Sequence, residues 1–329
     1  MLIDILAILA GFALLVWSAE RFIEGAAACA RHAGMPTLLI GMVIVGFGTS
    51  APEMVVSAMA ALHGNPNLAL GNALGSNIFN TGLILSVTAL ITPIVVHSKI
   101  VRQELPLLIL IGLLTGLLLW DGALTRWESL LLLSGFFGLI IWSIVSARTN
   151  RTDALAIETE QELIAHALPL GRAIFWVIMG LTLLLVSSRI LIWGAVNIAH
   201  AIGVSDLVIG LTIVALGTSL PELAATIIAT RQGEDDIAIG NIVGSNMFNL
   251  LAVIGIAGVI SPIPTVSPDV LHRDWPVVMI LTLALLLMTF RIKNSSRTSC
   301  RRISRMKGSL LLFIFIAYNT WLITTVLPA

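Results

Sequence analysis

Residues 41–80 of the 329-residue chain align with residues 210–249 at a constant offset of 169 without a gap, and 18 of the 40 positions are identical. The first copy reads GMVIVGFGTSAPE up to Glu53 and GNALGSNIFN up to Asn80. The second reads GLTIVALGTSLPE up to Glu222 and GNIVGSNMFN up to Asn249. Further on, Glu104 and Pro106 recur as Asp274 and Pro276 at an offset of 170. A duplication this close fixes the architecture once the number of elements in each copy is known.

That number comes from hydropathy. Hydrophobic residues make up 57% of the chain and charged residues 11%, where a soluble domain carries about 25% charge. Too little charge is left to cover a water-soluble globule. Apolar runs of about 17–25 residues each suffice to cross a bilayer. Ten are expected, at 2–22, 36–62, 68–94, 104–120, 127–147, 172–198, 207–230, 237–260, 274–290 and 308–327. The first run has no basic stretch before it and no small-residue cleavage site after it, so it reads as a span and not a removed signal. Residues 1–147 thus form a first five-helix repeat, 148–171 a polar linker, and 172–329 a second five-helix repeat. Five is odd. The second copy must enter the membrane upside down relative to the first, giving an all-α polytopic membrane protein with ten transmembrane helices in two inverted repeats.

Basic residues set the orientation, because short cytoplasmic loops are enriched in Lys and Arg. With both termini periplasmic, the cytoplasmic side collects 15 of the 18 Lys and Arg, seven of them between Arg291 and Lys307. Only Arg126, Arg189 and Arg273 fall towards the other side. The 291–307 loop could also meet anionic lipid. The formal net charge of zero says nothing about a nucleic-acid partner, but no basic face exists outside this loop, so no nucleic-acid partner is expected. Cys29 and Cys300 lack metal-ligand or disulfide spacing.

Among 18 acidic residues, only Glu53 and Glu222 lie near the middle of an apolar run. A carboxylate at that depth costs several kcal/mol unless it faces a partner or a cavity. One such residue could be a protonated packing group; two at symmetric positions in matching surroundings point to a shared site. Pro52 and Pro221 have no N–H, so the carbonyls of Gly48 and Gly217 lose their helical partners. Freed carbonyls at membrane depth need protein or a water-filled cavity. Thr49, Ser50, Thr218 and Ser219 add hydroxyls at the same level. Asn72, Ser76 and Asn80 form a polar stripe at i, i+4 and i+8, with Asn77 beside it, and Asn241, Ser245, Asn246 and Asn249 repeat it. Gly71 with Gly75, and Gly240 with Gly244, allow close helix approach. Carboxylate, amide, hydroxyl and carbonyl oxygens, without thiol or imidazole, suit a hard cation such as calcium, sodium or magnesium. Two carboxylates balance one Ca²⁺ or two Na⁺. No Ser–His, Cys–His or HExxH arrangement lies at depth, so an intramembrane hydrolase is disfavoured and the chain reads as no enzyme.

With both signatures, GTSAPE/GNALGSNIFN and GTSLPE/GNIVGSNMFN, the chain resembles the cation/Ca²⁺ exchanger superfamily, close to its bacterial calcium/sodium antiporters. The resemblance covers nearly the whole chain. It implies an antiporter of the inner membrane that exchanges Ca²⁺ for Na⁺ by alternating access, with no cofactor beyond the transported ions. It implies Glu53 and Glu222 as bridging ligands, with Thr49, Ser50, Thr218, Ser219, Ser76, Asn80, Ser245 and Asn249 completing the cage, and the first and sixth helices as a gate. Proton-coupled and potassium-dependent branches share these motifs. Some members carry Asp at the last position of one GSNxFN motif; here Asn80 and Asn249 are both neutral.

Overall fold

A computed structural model describes residues 2–32, 46–96, 103–149, 168–232, 235–289 and 302–326. Helix α1 is Leu2–His32, α2 is Gly46–Thr49 and α3 is Ala51–Leu62. Helix α4 runs over Pro66–Ile91 with a π segment at Phe79–Ile84, and strand β1, Ile94–Val95, follows it. Then come α5 (Leu105–Leu118), α6 (Arg126–Thr149) and α7 (Leu170–Ile202). Helix α8 is Asp206–Thr218 and α9 is Leu220–Gln232. Helix α10 starts at Asp235, passes through a π segment at Asn249–Val253 and ends at Ile260. Helix α11 (Val270–Thr289), strand β2 (Arg302–Ile303) and α12 (Arg305–Val326) complete the chain.

Among the described residues, six helices are long and apolar enough to cross a membrane, or seven if α8 and α9 count as one bent span. Two expected spans are broken. The run expected at 36–62 starts in residues 36–45, outside the described residues, and its remainder is two helices, α2 and α3, separated by Ser50. The run expected at 207–230 is α8 and α9, bent by 44° across Ser219. The cause is local: proline at the second position of α3 and of α9 cannot donate to the preceding turn. Most of the linker, residues 151–167, and residues 290–301 of the basic loop also lie outside the described residues.

Helices α4 and α10 form the centre. Their most apolar stretches are 78% and 83% buried, against 24% for α1 and 28% for α7. The rest of α1 and α7 is left for lipid, and the two pack on one another along their length through Gly11 against Leu191, Gly180 against Phe22 and Gly194 against Ile8. The two halves are interleaved. Helix α12 packs on the end of α4, Gly308 against Ala89, and α6 packs on the end of α10, Ser129 against Gly258. Each contact carries a small strand pairing at its edge. β1 pairs antiparallel with β2, Ile94 opposite Ile303, and Leu124 pairs with Ile263. Ile263 is Ile94 shifted by 169, so the same pairing follows both central helices.

The glycines of the first GxxxG pair do what their spacing predicts. A Cβ on Gly71 would sit 2.2 Å from the Leu207 carbonyl oxygen, and one on Gly210 would sit 2.3 Å from that of Leu68. The backbones of α4 and α8 therefore touch, and only glycine fits. By the repeat offset, most of the equivalent neighbours of Gly240 and Gly244 are residues 38, 41 and 42, outside the described residues. Gly71→Val is expected to destabilise the protein by about 1–3 kcal/mol, because the obstructing atoms are backbone and cannot rotate away. Gly138→Ala, where nothing lies within 4 Å of an added Cβ, is expected to be neutral. Thermal unfolding of both variants in detergent tests the pair; equal melting temperatures would show that the α4–α8 contact is not tight.

Candidate cation site

The two helix breaks have the same geometry. Ser50 lies at φ −87°, ψ 1°, and Ser219 at φ −85°, ψ 6°. Each break starts a new helix whose first turn holds the glutamate, Glu53 in α3 and Glu222 in α9. Unpaired N–H groups at a helix start favour negative charge there. Both glutamates are fully buried at 0% exposure.

The breaks are held by the opposite half of the molecule. Thr49 Oγ1 donates to Asn241 Oδ1 on α10 at 3.1 Å, and its repeat counterpart Thr218 donates to Asn72 Oδ1 on α4 at 3.1 Å. Each asparagine then passes its amide hydrogens onward. Asn72 donates to Ser57 Oγ at 3.0 Å, and Asn241 donates to Thr226 Oγ1 at 3.3 Å. These two amides of the polar stripe are thus occupied in tying the halves together.

Around the glutamates the bonding is lopsided. Ser219 donates to Glu53 Oε1 at 3.4 Å. On the other side Ser245 donates to Glu222 Oε1 at 3.4 Å and receives the hydroxyl of Ser50 at 3.1 Å. Ser76, the counterpart of Ser245, has no partner. The third layer is symmetric again. Asn80 donates to Asn246 Oδ1 at 3.1 Å, and Asn249 donates to Asn77 Oδ1 at 3.0 Å. Asn246 is itself anchored on Thr81 Oγ1 at 2.9 Å, and Asn77 donates to the Asn246 carbonyl at 3.2 Å. The NH₂ ends of Asn80 and Asn249 are consumed, which leaves their oxygens as the free ends.

Every buried side-chain polar atom without a partner, among the described residues, lies here. The five are Glu53 Oε2, Glu222 Oε2, Asn80 Oδ1, Asn249 Oδ1 and Ser76 Oγ. An unsatisfied buried polar group costs about 1–3 kcal/mol, more when charged, so native interiors keep few of them. Concentrating all of them at one place, all oxygen, marks this as the candidate site. No cluster of three or more His, Cys, Asp or Glu occurs among the described residues. The donors are two carboxylates and neutral oxygens, which suits hard cations and not transition metals.

All ten residues expected from the sequence fall in this network. Thr49, Ser50, Thr218, Ser219 and Ser245 are engaged in hydrogen bonds within it, while Glu53, Glu222, Asn80, Asn249 and Ser76 supply the free oxygens. Left out of that expected set were the residues that orient it: Asn72, Asn241, Asn77, Asn246, Ser57, Thr226 and Thr81. Six of these seven form repeat pairs at the 169 offset (Asn72 with Asn241, Asn77 with Asn246, Ser57 with Thr226), so the signal was present in the alignment.

The family described as "Sodium/calcium exchanger protein" matches residues 3–145 and 172–324. The chain is 46% identical over 319 residues to a provisionally named antiporter, CaxA, of Alkalimonas amylolytica, covering 97% of this chain and 98% of that one. It is 39% identical over 298 residues to the inner membrane protein YrbG of Escherichia coli K12, covering 88% and 90%. Among solved structures it is similar to the sodium-calcium exchanger NCX_Mj soaked with Na⁺ and Sr²⁺, with a TM-score of 0.64 and 28% identity over 97% of this chain and 98% of that one. Matching motifs, a matching fold and a family match over nearly all of both halves agree: the chain belongs to the sodium/calcium exchanger family of the cation/Ca²⁺ exchanger superfamily, transporters and not enzymes.

Proposed function

We propose that this protein exchanges Ca²⁺ for Na⁺ across the inner membrane by alternating access, through ten spans arranged as two inverted five-helix repeats. The observation that carries the reading is the set of five unpartnered buried oxygens gathered around Glu53 and Glu222. Ca²⁺ takes 6–8 oxygen ligands, and the two carboxylates, two amide oxygens and nearby hydroxyls come within reach of that number. The ligands are Glu53, Glu222, Ser76, Asn80 and Asn249, with the hydroxyls or carbonyls of Thr49, Ser50, Thr218, Ser219 and Ser245 joining as the load changes. Ca²⁺ and Na⁺ compete for the same oxygens, so one occupant must leave before the other enters.

Long-range contacts support the ten-span topology. β1 with β2, Asp235 with the Val95 N–H at 2.7 Å, and His32 with the Leu168 carbonyl at 3.0 Å all join segments that the basic residues assign to the cytoplasm. Leu124 with Ile263, and Asn197 with Asp4 at 3.0 Å, join segments assigned to the periplasm. The lipid-exposed pair α1 and α7 packs beside both breaks, with the Phe12 ring over Gly217, which fits a unit that slides against the rest to open one side or the other.

Flux measurements test the reading. In proteoliposomes, ⁴⁵Ca²⁺ uptake is expected to follow an imposed outward Na⁺ gradient; uptake that follows only a pH gradient would assign the protein to a proton-coupled branch using the same oxygens. Glu53→Gln and Glu222→Gln are each expected to reduce exchange to the level of empty liposomes while the protein stays folded and inserted. Wild-type flux in either purified variant would remove the glutamates from the site. The topology is tested separately. In a Cys29→Ser background, a membrane-impermeant thiol reagent applied to cells with a permeabilised outer membrane is expected not to label Cys300, and rapid labelling would reverse the orientation.

A further inference from the structure

Glu20 on α1 and Arg189 on α7 are repeat counterparts at the 169 offset, with opposite charge. Both are exposed. Gly11 packs on Leu191 and Gly180 on Phe22, and Glu20 and Arg189 lie between these two contacts, inside the apolar stretches Leu2–Ala26 and Leu170–Ile198. Each follows its contact glycine by nine residues (Gly11 to Glu20, Gly180 to Arg189), which is two and a half helical turns. Each therefore leaves the α1–α7 pair on the face turned away from the other helix. Around them the same helices expose Leu9 and Trp17, and Val186 and Trp193. Neighbouring charges are met within the chain: Asp4 accepts from Asn197, and Arg21 pairs with Glu24 and lies over the Trp176 ring. Glu20 and Arg189 have no hydrogen-bond or ion-pair partner among the described residues. A charge on the lipid side of a span is strongly penalised unless it pairs or reaches water.

We propose that a second copy of this chain covers these positions, with Glu20 of one copy paired to Arg189 of the next where α1 of the first lies along α7 of the second. The charges are opposite and equal in number, so each contact pairs one with one and removes two lipid-exposed charges together. Their depths also suit each other. Glu20 lies two residues from the Phe22–Gly180 contact and Arg189 two from the Gly11–Leu191 contact, which are eleven residues apart. Seven residues, about 10 Å along the helices, separate the two levels. The same contacts make α1 and α7 antiparallel, and side chains on a helix lean towards its N-terminus. Glu20 and Arg189 thus lean towards one another's level. Because they leave the α1–α7 pair in opposite directions, the contact is head-to-tail, and a closed assembly is a ring.

The test uses full-length protein in a Cys29→Ser background, labelled at Cys300 with donor or acceptor dye, mixed and reconstituted into phosphatidylethanolamine/phosphatidylglycerol liposomes of increasing lipid content. Energy transfer between wild-type copies is expected to persist on dilution above the level of random proximity. Glu20→Arg and Arg189→Glu each bring like charges together, and each is expected to lower the dilution at which transfer is half lost by about tenfold. The double variant restores opposite charges and is expected to associate as the wild type does. Donor-labelled Glu20→Arg mixed with acceptor-labelled Arg189→Glu is expected to transfer more than either variant with itself, which only a contact between copies can produce. Wild-type transfer at the random level would overturn the assembly. Single variants that associate like the wild type, a double variant no better than the singles, or a mixture no better than its components would overturn the pairing. If a single variant fails to insert, Glu20→Gln and Arg189→Gln take its place, and undiminished association in both would overturn the pairing equally.

Discussion

Two carboxylates buried at the centre of an apolar molecule, with no cation beside them among the described residues, are the constraint around which this fold is arranged. An unpaired charge in a low-dielectric interior is expensive, and the surrounding structure is organised to limit that expense without cancelling it. Each glutamate sits at the start of a helix, where free N–H groups favour negative charge. Each accepts one hydroxyl, from Ser219 or Ser245, and keeps one oxygen free. Protein donors on the free oxygens would remove that cost, and none is present there among the described residues.

Holding such a site open requires rigid neighbours, and the halves provide them for one another. The break of the first half is bonded to α10 through Thr49 and Asn241, and that of the second half to α4 through Thr218 and Asn72. Farther out, α6 lies on the end of α10 and α12 on the end of α4, each closed by a short strand pairing. Neither half has a complete site or a complete packing surface of its own. A movement of one break is therefore felt by the helix carrying the other half's asparagines.

Several features were legible in the residues. Pro52 and Pro221 announce the two helix breaks, because a residue without an N–H cannot continue the ladder; the closely similar backbone angles at Ser50 and Ser219 follow from that local rule. Gly71 and Gly75 announce a close approach, and α8 is the helix that comes close. The π segments beginning at Phe79 and Asn249 were not legible. They insert an extra residue into a turn at the level of the site and depend on what packs around them, so no propensity reveals them. Nor was the division of labour among the asparagines. Asn72, Asn77, Asn80, Asn241, Asn246 and Asn249 look alike in a polar stripe. Only their partners separate the orienting amides, whose groups are consumed, from Asn80 and Asn249, whose oxygens remain free.

By itself, then, the sequence located the residues of the candidate site. A duplicated carboxylate beside a proline, at membrane depth, needs only burial and valence to be read as an oxygen cage for hard cations, and the offset of 169 identifies the paired residues. The tertiary structure decided which half meets which. That Thr49 bonds Asn241 and not Asn72, that Ser50 meets Ser245, and that α6 and α12 cross onto the opposite half's central helix are choices between near-identical local surfaces. Two copies of one motif offer the same donors and acceptors within a half as between halves. Only the packing of whole helices, fixed by glycine contacts such as Gly71 against Leu207 and by the shapes of the buried faces, selects one pairing over the other.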